Sequence, residues 1–589
     1  MAISNEVLPF GSAFIALFCL IPMYWAFYNS QSYGESALVF ALQILTTHLI
    51  SSFWLANFHG YAVFTLGASA FGTAFEGALC GVIAYMYPAR HKKNFLQELS
   101  SASSKYINRR VLWFTASWVF YEWIKSVWDM GYPWGTVSMA TYNWRVMTQI
   151  ADVTGVWGVT VMMTLINSYF AEYLIYIRRS ANSMDRRTFK ENLAPSRNMV
   201  MAFFTVCFVY GCFQLFTPIT PTKHLNIVMV QQNSDPWEGG EVLGIEISER
   251  LTEEKVKEMR ENGLEPDIVL WSEGVLGRSF PASRSYYENN PGEEGLGNFI
   301  KRMGVPFIIG GQVNVNPYKR HTSNAAIFFD KKGTYSGFYS KIHLVPFAEV
   351  IPYNENPLMK AFMKNVVRFS SSGWTPGKQY VVFRVPLSSS KNRKPPLEYA
   401  LTPEAGIFLD QNGLSNSKNT QRYISNDNEN PDNFVYFTTP ICFEDAFNDV
   451  CRRLYNMGSE VFLNITNDSW SLKASSEYQH FIAASYRAIE YRTTLVRCTN
   501  SGYSVVVDPK GEILADLPLF TEAALGYSVP VYARKNTIYA RCGDWFIYII
   551  VAFIALYAFY AFIKNLNFSI GQNDKKCKFV IKFIDTTFL

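Results

Sequence analysis

Three side chains of different chemistry stand just beyond apolar, strand-length runs: Glu273 in DIVLWSEG, Lys341 in YSKIHLVPFAEVIP and Cys442 in VYFTTPICFED. A thiol can attack an acyl carbonyl while a carboxylate takes its proton and later returns it to the leaving group, and a cation steadies the tetrahedral oxyanion. Glu, Lys and Cys supply those three roles. At a strand-to-helix turn, the thiolate of Cys442 would gain from the helix N-terminus and from a nearby cation. Taken singly, each residue has an ordinary reading. A strand-end carboxylate is commonly a surface charge, a lysine before His-Leu is commonly solvated, and a cysteine in an apolar strand packs as a small hydrophobe.

For the three to meet, strands must deliver them to one mouth of a sheet. From residue 223 to about 535 the apolar runs are of strand length and alternate with polar, helix-like stretches. Candidate strands cover 225–231, 267–271, 306–311, 324–329, 380–385, 435–441, 460–465, 495–499 and 503–507. Helical patterns cover 247–262, 292–303, 444–457 and 476–492. Alternation of this kind predicts a layered α/β domain. Residues 387–433, rich in Ser, Asn, Lys and Pro, read as a solvated polar insertion into it.

The rest of the chain has another character. Of 589 residues 49% are hydrophobic, 16% aromatic and only 17% charged, which puts the composition at the membrane edge of the soluble range. Segments near 8–27, 35–58, 62–88, 111–130, 156–177, 199–218 and 545–563 are each about long enough to cross a hydrocarbon core of about 30 Å. The first has no basic region before it and no small-residue cleavage site after it, so it reads as a retained helix. The 111–130 segment carries Glu122, Lys125 and Asp129, and Glu76 sits in the middle of another; carboxylates at such positions pair inside a helix bundle or serve function.

Lys and Arg stay on the cytoplasmic side of short loops. They cluster at 89–110 (Arg90, Lys92, Lys93, Lys105, Arg109, Arg110) and at 178–198 (Arg178, Arg179, Arg186, Arg187, Lys190, Arg197). Counting spans from these loops places 223–540 outside the cytoplasm. The expected organisation is an N-terminal membrane domain over 1–222 with about six spans, a catalytic domain over 223–540, a C-terminal span over 541–564 and a basic cytoplasmic tail over 565–589. The net charge of +5 is small and sits between apolar segments, so no basic stripe argues for nucleic acid. Nine scattered cysteines show no CxxC or other zinc-like spacing.

The chain resembles the carbon-nitrogen hydrolase (nitrilase) superfamily at WSEG (271–274), YSKIHLVPFAE (339–349), ICFED (441–445), NITNDSW (464–470) and QHFIAASYRAIEYRTTLVRCTNSGYSVVVDPKG (479–511), in that order. YEWIKSVWDMGYPWG (121–135) and TQIADVTGVWGV (148–159) resemble the membrane region of its apolipoprotein N-acyltransferase branch. The resemblance implies an αββα sandwich facing the periplasm on a multi-span domain in the bacterial inner membrane. It also implies Glu273 as general base, Lys341 as oxyanion-side cation and Cys442 as nucleophile. Glu349 matches a second acid near the lysine and Glu444 the acid two residues after the nucleophile. Trp237 resembles an aromatic near the acyl site. Phe443 stands where the family usually has Tyr, Ser272 where it has Pro, Ala348 where it has Gly, and NDSWSL where it has NDAWFG.

The implied reaction moves an acyl chain from a membrane phospholipid, through a thioester on Cys442, to the α-amino group of the N-terminal S-diacylglyceryl cysteine of an apolipoprotein. It needs no metal and no soluble cofactor. A membrane-anchored amidase or nitrilase acting on a small amide uses the same triad and is the alternative; a catalytically dead hydrolase fold serving a receptor or transporter is more remote. His480 reads as a positioning or packing residue, and Arg487, Glu490 and Arg497 as a buried charge network behind the site.

Overall fold

The central strands are near-continuous apolar runs, such as IVLW at 268–271 and VFL at 461–463, and both of their faces are buried, so each sheet must be covered twice. The computed structural model describes residues 3–57, 62–87, 104–127, 130–180, 186–234, 240–291, 294–316, 321–351, 353, 356–362, 365, 373–389, 400–401 and 431–570. The strands are β1 (Lys223–Gln231), β2 (Ile268–Phe280), β3 (Phe307–Asn316), β4 (His321–Phe329), β5 (Tyr335–Ser340), β6 (Val382–Pro386), β7 (Ala400–Leu401), β8 (Phe434–Thr438), β9 (Val461–Thr466), β10 (Thr494–Thr499), β11 (Val505–Val507), β12 (Ile513–Asp516) and β13 (Ala523–Val531). They form one sheet in the order β13-β1-β2-β3-β4-β5 and a second in the order β12-β11-β10-β9-β8-β6-β7.

The sheets pack face to face. Phe328 on β4 meets Phe383 on β6 with ring centroids 5.7 Å apart, and Leu225, Ile227, Met229, Ile268, Leu270 and Ile308 point into the same interior. The opposite faces of β1, β2 and β3 bury Val228, Val230, Val269, Trp271 and Ile309 under two helices, Gly240–Glu261 and Leu296–Met303. On the far side, Phe462 of β9 packs on Tyr455 of helix Asn448–Asn456 and Tyr491 of helix Ala474–Tyr491. The layers therefore run helix, sheet, sheet, helix.

Before the first strand come helices α1 (Ile21–Asn29), α2 (Tyr33–Ser51), α3 (Ala62–Ala84), α4 (Ser104–Ser126), α5 (Val156–Ser180) and α6 (Arg186–Phe216). After the last strand comes α7 (Trp545–Ile570). Among the described residues, two helical stretches are long and apolar enough to cross a membrane, Thr65–Ala84 and Lys190–Phe216; Ala13–Asn29 and Trp545–Tyr560 are apolar but shorter. The expected 8–27 segment is two helices, Ala13–Ala16 and Ile21–Asn29. The second starts where Pro22, which lacks an N–H, fits only a first turn.

The outer faces of these helices are apolar: Phe71, Phe75, Leu79 and Val82 form one exposed stripe on α3, and Val206, Val209, Phe213 and Phe216 another on α6. Inside, polar groups pair. Glu172 of α5 receives Nε and Nη2 of Arg110 on α4 at 2.6 and 2.8 Å, together with the Tyr24 hydroxyl of α1. Arg110, counted above among loop charges, is thus a buried helix residue. Glu122 accepts from Trp118 Nε1, the Val137 amide and the Thr160 hydroxyl, and Lys125 Nζ donates to the Trp134 carbonyl at 2.6 Å. Glu76 is half-buried on α3.

Four strands went unpredicted: β5, β7, β12 and β13. Each is an edge of its sheet. An edge strand is covered on fewer sides and carries a weaker apolar signal, as YSGFYS at β5 illustrates. The 387–433 insertion begins later than expected and contains β7, which pairs with β6 through Phe383↔Ala400. Its residues 390–399 and 402–430 lie outside the described residues, as do Trp237 and the tail beyond 570. The helix predicted over 444–457 is a 3₁₀ turn, Cys442–Ala446, followed by Asn448–Asn456.

Candidate active site

Glu273 sits where β2 loses register with β3, between Trp271↔Ile309 and Leu276↔Gly311. Such a break re-aims a side chain. Gly310 of β3 makes it possible, because a Cβ there would lie 2.4 Å from the Glu273 Cα. Lys341 follows β5 directly and is 1% exposed; its backbone N–H donates to the Asn324 carbonyl at 2.8 Å. The strand pairing that aligns Ala325 with Ser340 brings Asn324 and Lys341 side by side.

These residues close on one another. Lys341 Nζ lies 3.0 Å from both Glu273 Oε1 and Glu349 Oε1. Asn324 Nδ2 donates to the same two oxygens at 2.6 and 2.9 Å. The second oxygen of Glu273 accepts from the Asn467 amide at 2.9 Å, and that of Glu349 from the Val345 amide at 2.7 Å. Burial alone would depress the Lys341 ammonium, but the carboxylates of Glu273 and Glu349 hold it well above the usual lysine range. The lysine is a fixed positive charge.

Cys442 opens the 3₁₀ turn with φ of +49°, a left-handed conformation costly for a residue with a Cβ. Its surroundings hold it there. Ile441 bridges to Ile465 of β9, and Asn464 Nδ2 donates to the Pro440 carbonyl at 3.0 Å. Glu444 is the hub on the other side. It accepts from the Ile441 amide (2.8 Å), the Ile342 amide (2.6 Å), the His343 amide (3.1 Å) and the Tyr339 hydroxyl (2.9 Å). It therefore ties the nucleophile turn to the loop that carries Lys341. Burial pushes the Glu444 carboxyl up to about 7 against these donated bonds. Phe443 stacks on Trp134, which precedes α5, with ring centroids 5.3 Å apart and planes 12° from parallel.

The Cys442 thiol, 8% exposed, is pushed well above the ordinary thiol range by burial first and by Glu273 second, with Lys341 opposing. At rest it keeps its proton beside a carboxylate. Its sulfur, an oxygen of Asp468 and a ring nitrogen of His480 lie within 4.8 Å of one another. Both imidazole nitrogens already face carboxylates, Nδ1 at 3.0 Å from Asp468 and Nε2 at 3.0 Å from Asp445, so neither offers a free lone pair to a metal ion.

Sequence reasoning singled out Glu273, Lys341, Cys442, Glu349, Glu444 and Phe443, and all six meet here. It missed Asn324, Trp134, Asp445 and Asp468. Nothing in the spacing of residue 324 links it to 273 or 349; only the β4–β5 register does. The expected Arg487, Glu490 and Arg497 network is two separate groups: Arg487 pairs with Glu490, whereas Arg497 pairs with Asp445 and lies 3.6 Å from Asp468.

Two stacked sheets between helical layers, with a carboxylate, an ammonium and a thiol at one mouth, define a carbon-nitrogen hydrolase fold. Residues 251–534 match the family model described as carbon-nitrogen hydrolase, and residues 2–169 match the apolipoprotein N-acyltransferase N-terminal domain. Apolipoprotein N-acyltransferase 2 of Treponema denticola is 37% identical over 549 residues, covering 92% of this chain and 91% of the relative. The protein of the same name from Treponema pallidum is 32% identical over 93% and 90% of the two chains, and apolipoprotein N-acyltransferase of Borreliella burgdorferi is 27% identical over 94% and 91%. This chain belongs to the apolipoprotein N-acyltransferase family.

Proposed function

We propose that the chain takes an acyl group from a membrane phospholipid onto Cys442 and passes it to the α-amino group of the S-diacylglyceryl cysteine that begins a diacylated apolipoprotein. In the first half, Glu273 takes the thiol proton as Sγ bonds to the ester carbonyl carbon. Lys341 Nζ faces the oxyanion, the ester C–O bond breaks, and the proton passes from Glu273 to the leaving glycerol oxygen. In the second half, the amine attacks the thioester carbonyl and gives a proton to Glu273. The C–S bond breaks, and the proton returns to sulfur. Glu349 and Asn324 position Lys341 and Glu273, and Glu444 with Phe443 fixes the turn. Trp237 is assigned to the acyl site by resemblance.

The observation that carries this reading over a small-amide hydrolase is a cavity of about 330 Å³ between the helical region and the sandwich, beside the nucleophile turn. Its walls join an apolar part, with Trp123, Val127, Met139, Trp157, Phe447 and Tyr548, to a polar part with His343, Asn448, Asp449, Arg487 and Asp544. The aromatic and aliphatic part of this lining suits an acyl chain better than it suits a small polar amide. On this reading the acyl chain stays in hydrocarbon while its carbonyl reaches the thiol.

The same reading makes 1–222 a multi-span membrane domain, 223–540 a periplasmic catalytic domain and 541–564 a returning span of the inner membrane, ahead of a basic cytoplasmic tail over 565–589. The exposed apolar stripes on α3 and α6 support it. Mass spectrometry of a diacylated lipopeptide incubated with phospholipid and enzyme should show one added acyl group on its N-terminal amine. An unmodified lipopeptide, with release of a small amide's acid instead, would favour the amidase. A cysteine placed at the exposed Ser389 should react with a membrane-impermeant reagent from the periplasmic side, and one at the exposed Arg197 should not. The opposite pattern would overturn the orientation.

A further inference from the structure

The reaction assigns work to the groups on one side of Cys442, namely Glu273, Lys341 and Glu349. The other side holds a second cluster of charge with no assigned work. His480, on helix Ala474–Tyr491, is buried between Asp468 and Asp445. Asp445 belongs to the nucleophile turn itself, and Asp468 follows β9. Arg497 of β10 pairs with Asp445 and approaches Asp468. Glu477, also buried, faces Asp468, and its Oε1 accepts a hydrogen bond from the Ser471 hydroxyl at 2.6 Å. Trp134 covers the imidazole with ring centroids 5.6 Å apart, while also stacking on Phe443.

A buried aspartate within 4.8 Å of a thiol opposes the thiolate that the reaction requires. We propose that His480 is a positioning residue for acyl transfer: as an imidazolium held by two aspartates, it cancels the charge of Asp468 beside the Cys442 sulfur and anchors Asp445 in the nucleophile turn. The proposal rests on Cys442 being the nucleophile. Two ring nitrogens facing two carboxylates at 3.0 Å are both satisfied only if both carry protons. The charges then balance. His480 and Arg497 carry two positive charges against Asp445 and Asp468, and Glu477 keeps its proton because burial and the neighbouring Asp468 push its carboxyl well above the usual range. The facing carboxylates hold His480 protonated up to about 9 although burial alone would lower it.

The groups that set the Cys442 thiol are therefore Glu273, Glu349 and Asp468, which oppose ionisation, and Lys341, which favours it. His480, with a ring nitrogen also within 4.8 Å of the sulfur, offsets Asp468 there. Replacing it by glutamine retains a polar side chain and unmasks a negative charge next to sulfur.

The test is the rate of Cys442 alkylation by iodoacetamide in the full-length, detergent-solubilised enzyme, followed by peptide mass spectrometry so that the other cysteines do not contribute. Below the thiol midpoint the rate follows the thiolate fraction, and one pH unit is tenfold. His480→Gln should slow alkylation at pH 8 at least tenfold. The double variant Asp468→Asn, His480→Gln, with both charges removed, should recover to within about threefold of wild type. The wild-type plot of log rate against pH should also become shallower near pH 9, where His480 loses its proton, and the double variant should lack that change. A double variant as slow as the single one, or a His480→Gln profile equal to wild type, would overturn the proposal. If His480→Gln does not fold, the slope change near pH 9 decides: its presence in wild type and absence from the double variant support the proposal, and the same slope in both overturns it. If acyl transfer survives Cys442→Ala, the reaction scheme fails instead, and the alkylation comparison still reports on His480 separately.

Discussion

Both halves of this molecule bury ion pairs, but with different surroundings. In the helical region Arg110 and Glu172 satisfy each other bidentately, with the Tyr24 hydroxyl on the same carboxylate and apolar side chains around them. In the sandwich, Lys341 is shared by two carboxylates and stands next to a thiol held at positive φ. The first arrangement is closed: a neutral pair joined by two parallel hydrogen bonds. The second is open, since one cation faces two anions and an ionisable sulfur, and a reacting oxyanion can draw on it. Burial of charge is therefore not itself a mark of chemistry. What separates the two is whether the pair is already complete without a substrate.

The contrast makes opposite demands on two substitutions. Lys341→Ala should lower acyl transfer by about 10²–10³-fold, the scale of one lost oxyanion stabiliser, and Lys341→Arg should restore little because the planar fork places its charge differently. Steady-state assay with a diacylated lipopeptide checks this, and near-wild-type rates in either variant would make the lysine a structural charge. Arg110→Ala should instead destabilise by about 3–5 kcal/mol, the cost of leaving a buried carboxylate unpaired. It should leave the turnover of each folded molecule close to wild type. Loss of activity in fully folded Arg110→Ala enzyme would erase the distinction between closed and open pairs.

Trp134 is one of the residues through which the halves touch, as are Ser138 against Tyr486 and Asp152 against Arg492. The Trp134 carbonyl is held by Lys125, and its ring covers Phe443 and His480. Removing a stacked aromatic beside the nucleophile turn costs interaction energy of about 0.5–1.5 kcal/mol beyond its buried area. Trp134→Ala should accordingly reduce the acylation rate roughly tenfold with little change in the affinity for lipopeptide. An effect on affinity alone would place the ring in a substrate wall.

Glu444 gives the smallest and most distinctive effect. Its carboxyl titrates at about 7 because of burial, so below that pH it carries a proton and cannot accept from all four donors at once. Acylation should decline as pH falls through 7, and Glu444→Gln should be slow at every pH with that inflection gone. Stability moves the other way. A carboxyl whose folded value is raised binds its proton more tightly when folded, so its contribution is fully present below about 4.5 and lost as pH rises through 7. Thermal melting across this window, wild type against Glu444→Gln, measures that share.

Legibility in the sequence followed burial. The central strands were readable because both of their faces are covered by apolar side chains, whereas the four edge strands β5, β7, β12 and β13 were not. Cys442, Glu273 and Lys341 were readable as residues at strand ends, and their neighbours Glu349, Glu444 and Phe443 through motif resemblance. Asn324, Asp445 and Asp468 were not, because their positions depend on strand register, on the 3₁₀ turn and on a helix 12 residues away at His480. Pairing across such separations leaves no local pattern. The same is true of Trp134, whose partner Phe443 comes from the other half of the chain.

In this scheme Cys442 carries the acyl group between two substrates. Incubating the enzyme with phospholipid alone, then digesting it for mass spectrometry, tests it directly. An acyl adduct should appear on the peptide containing Cys442, be released by hydroxylamine, and discharge as an amide when diacylated lipopeptide is added, with ping-pong kinetics overall. An adduct on Cys451 or Cys498, or undiminished transfer by Cys442→Ala, would mean that Cys442 is not the acyl carrier.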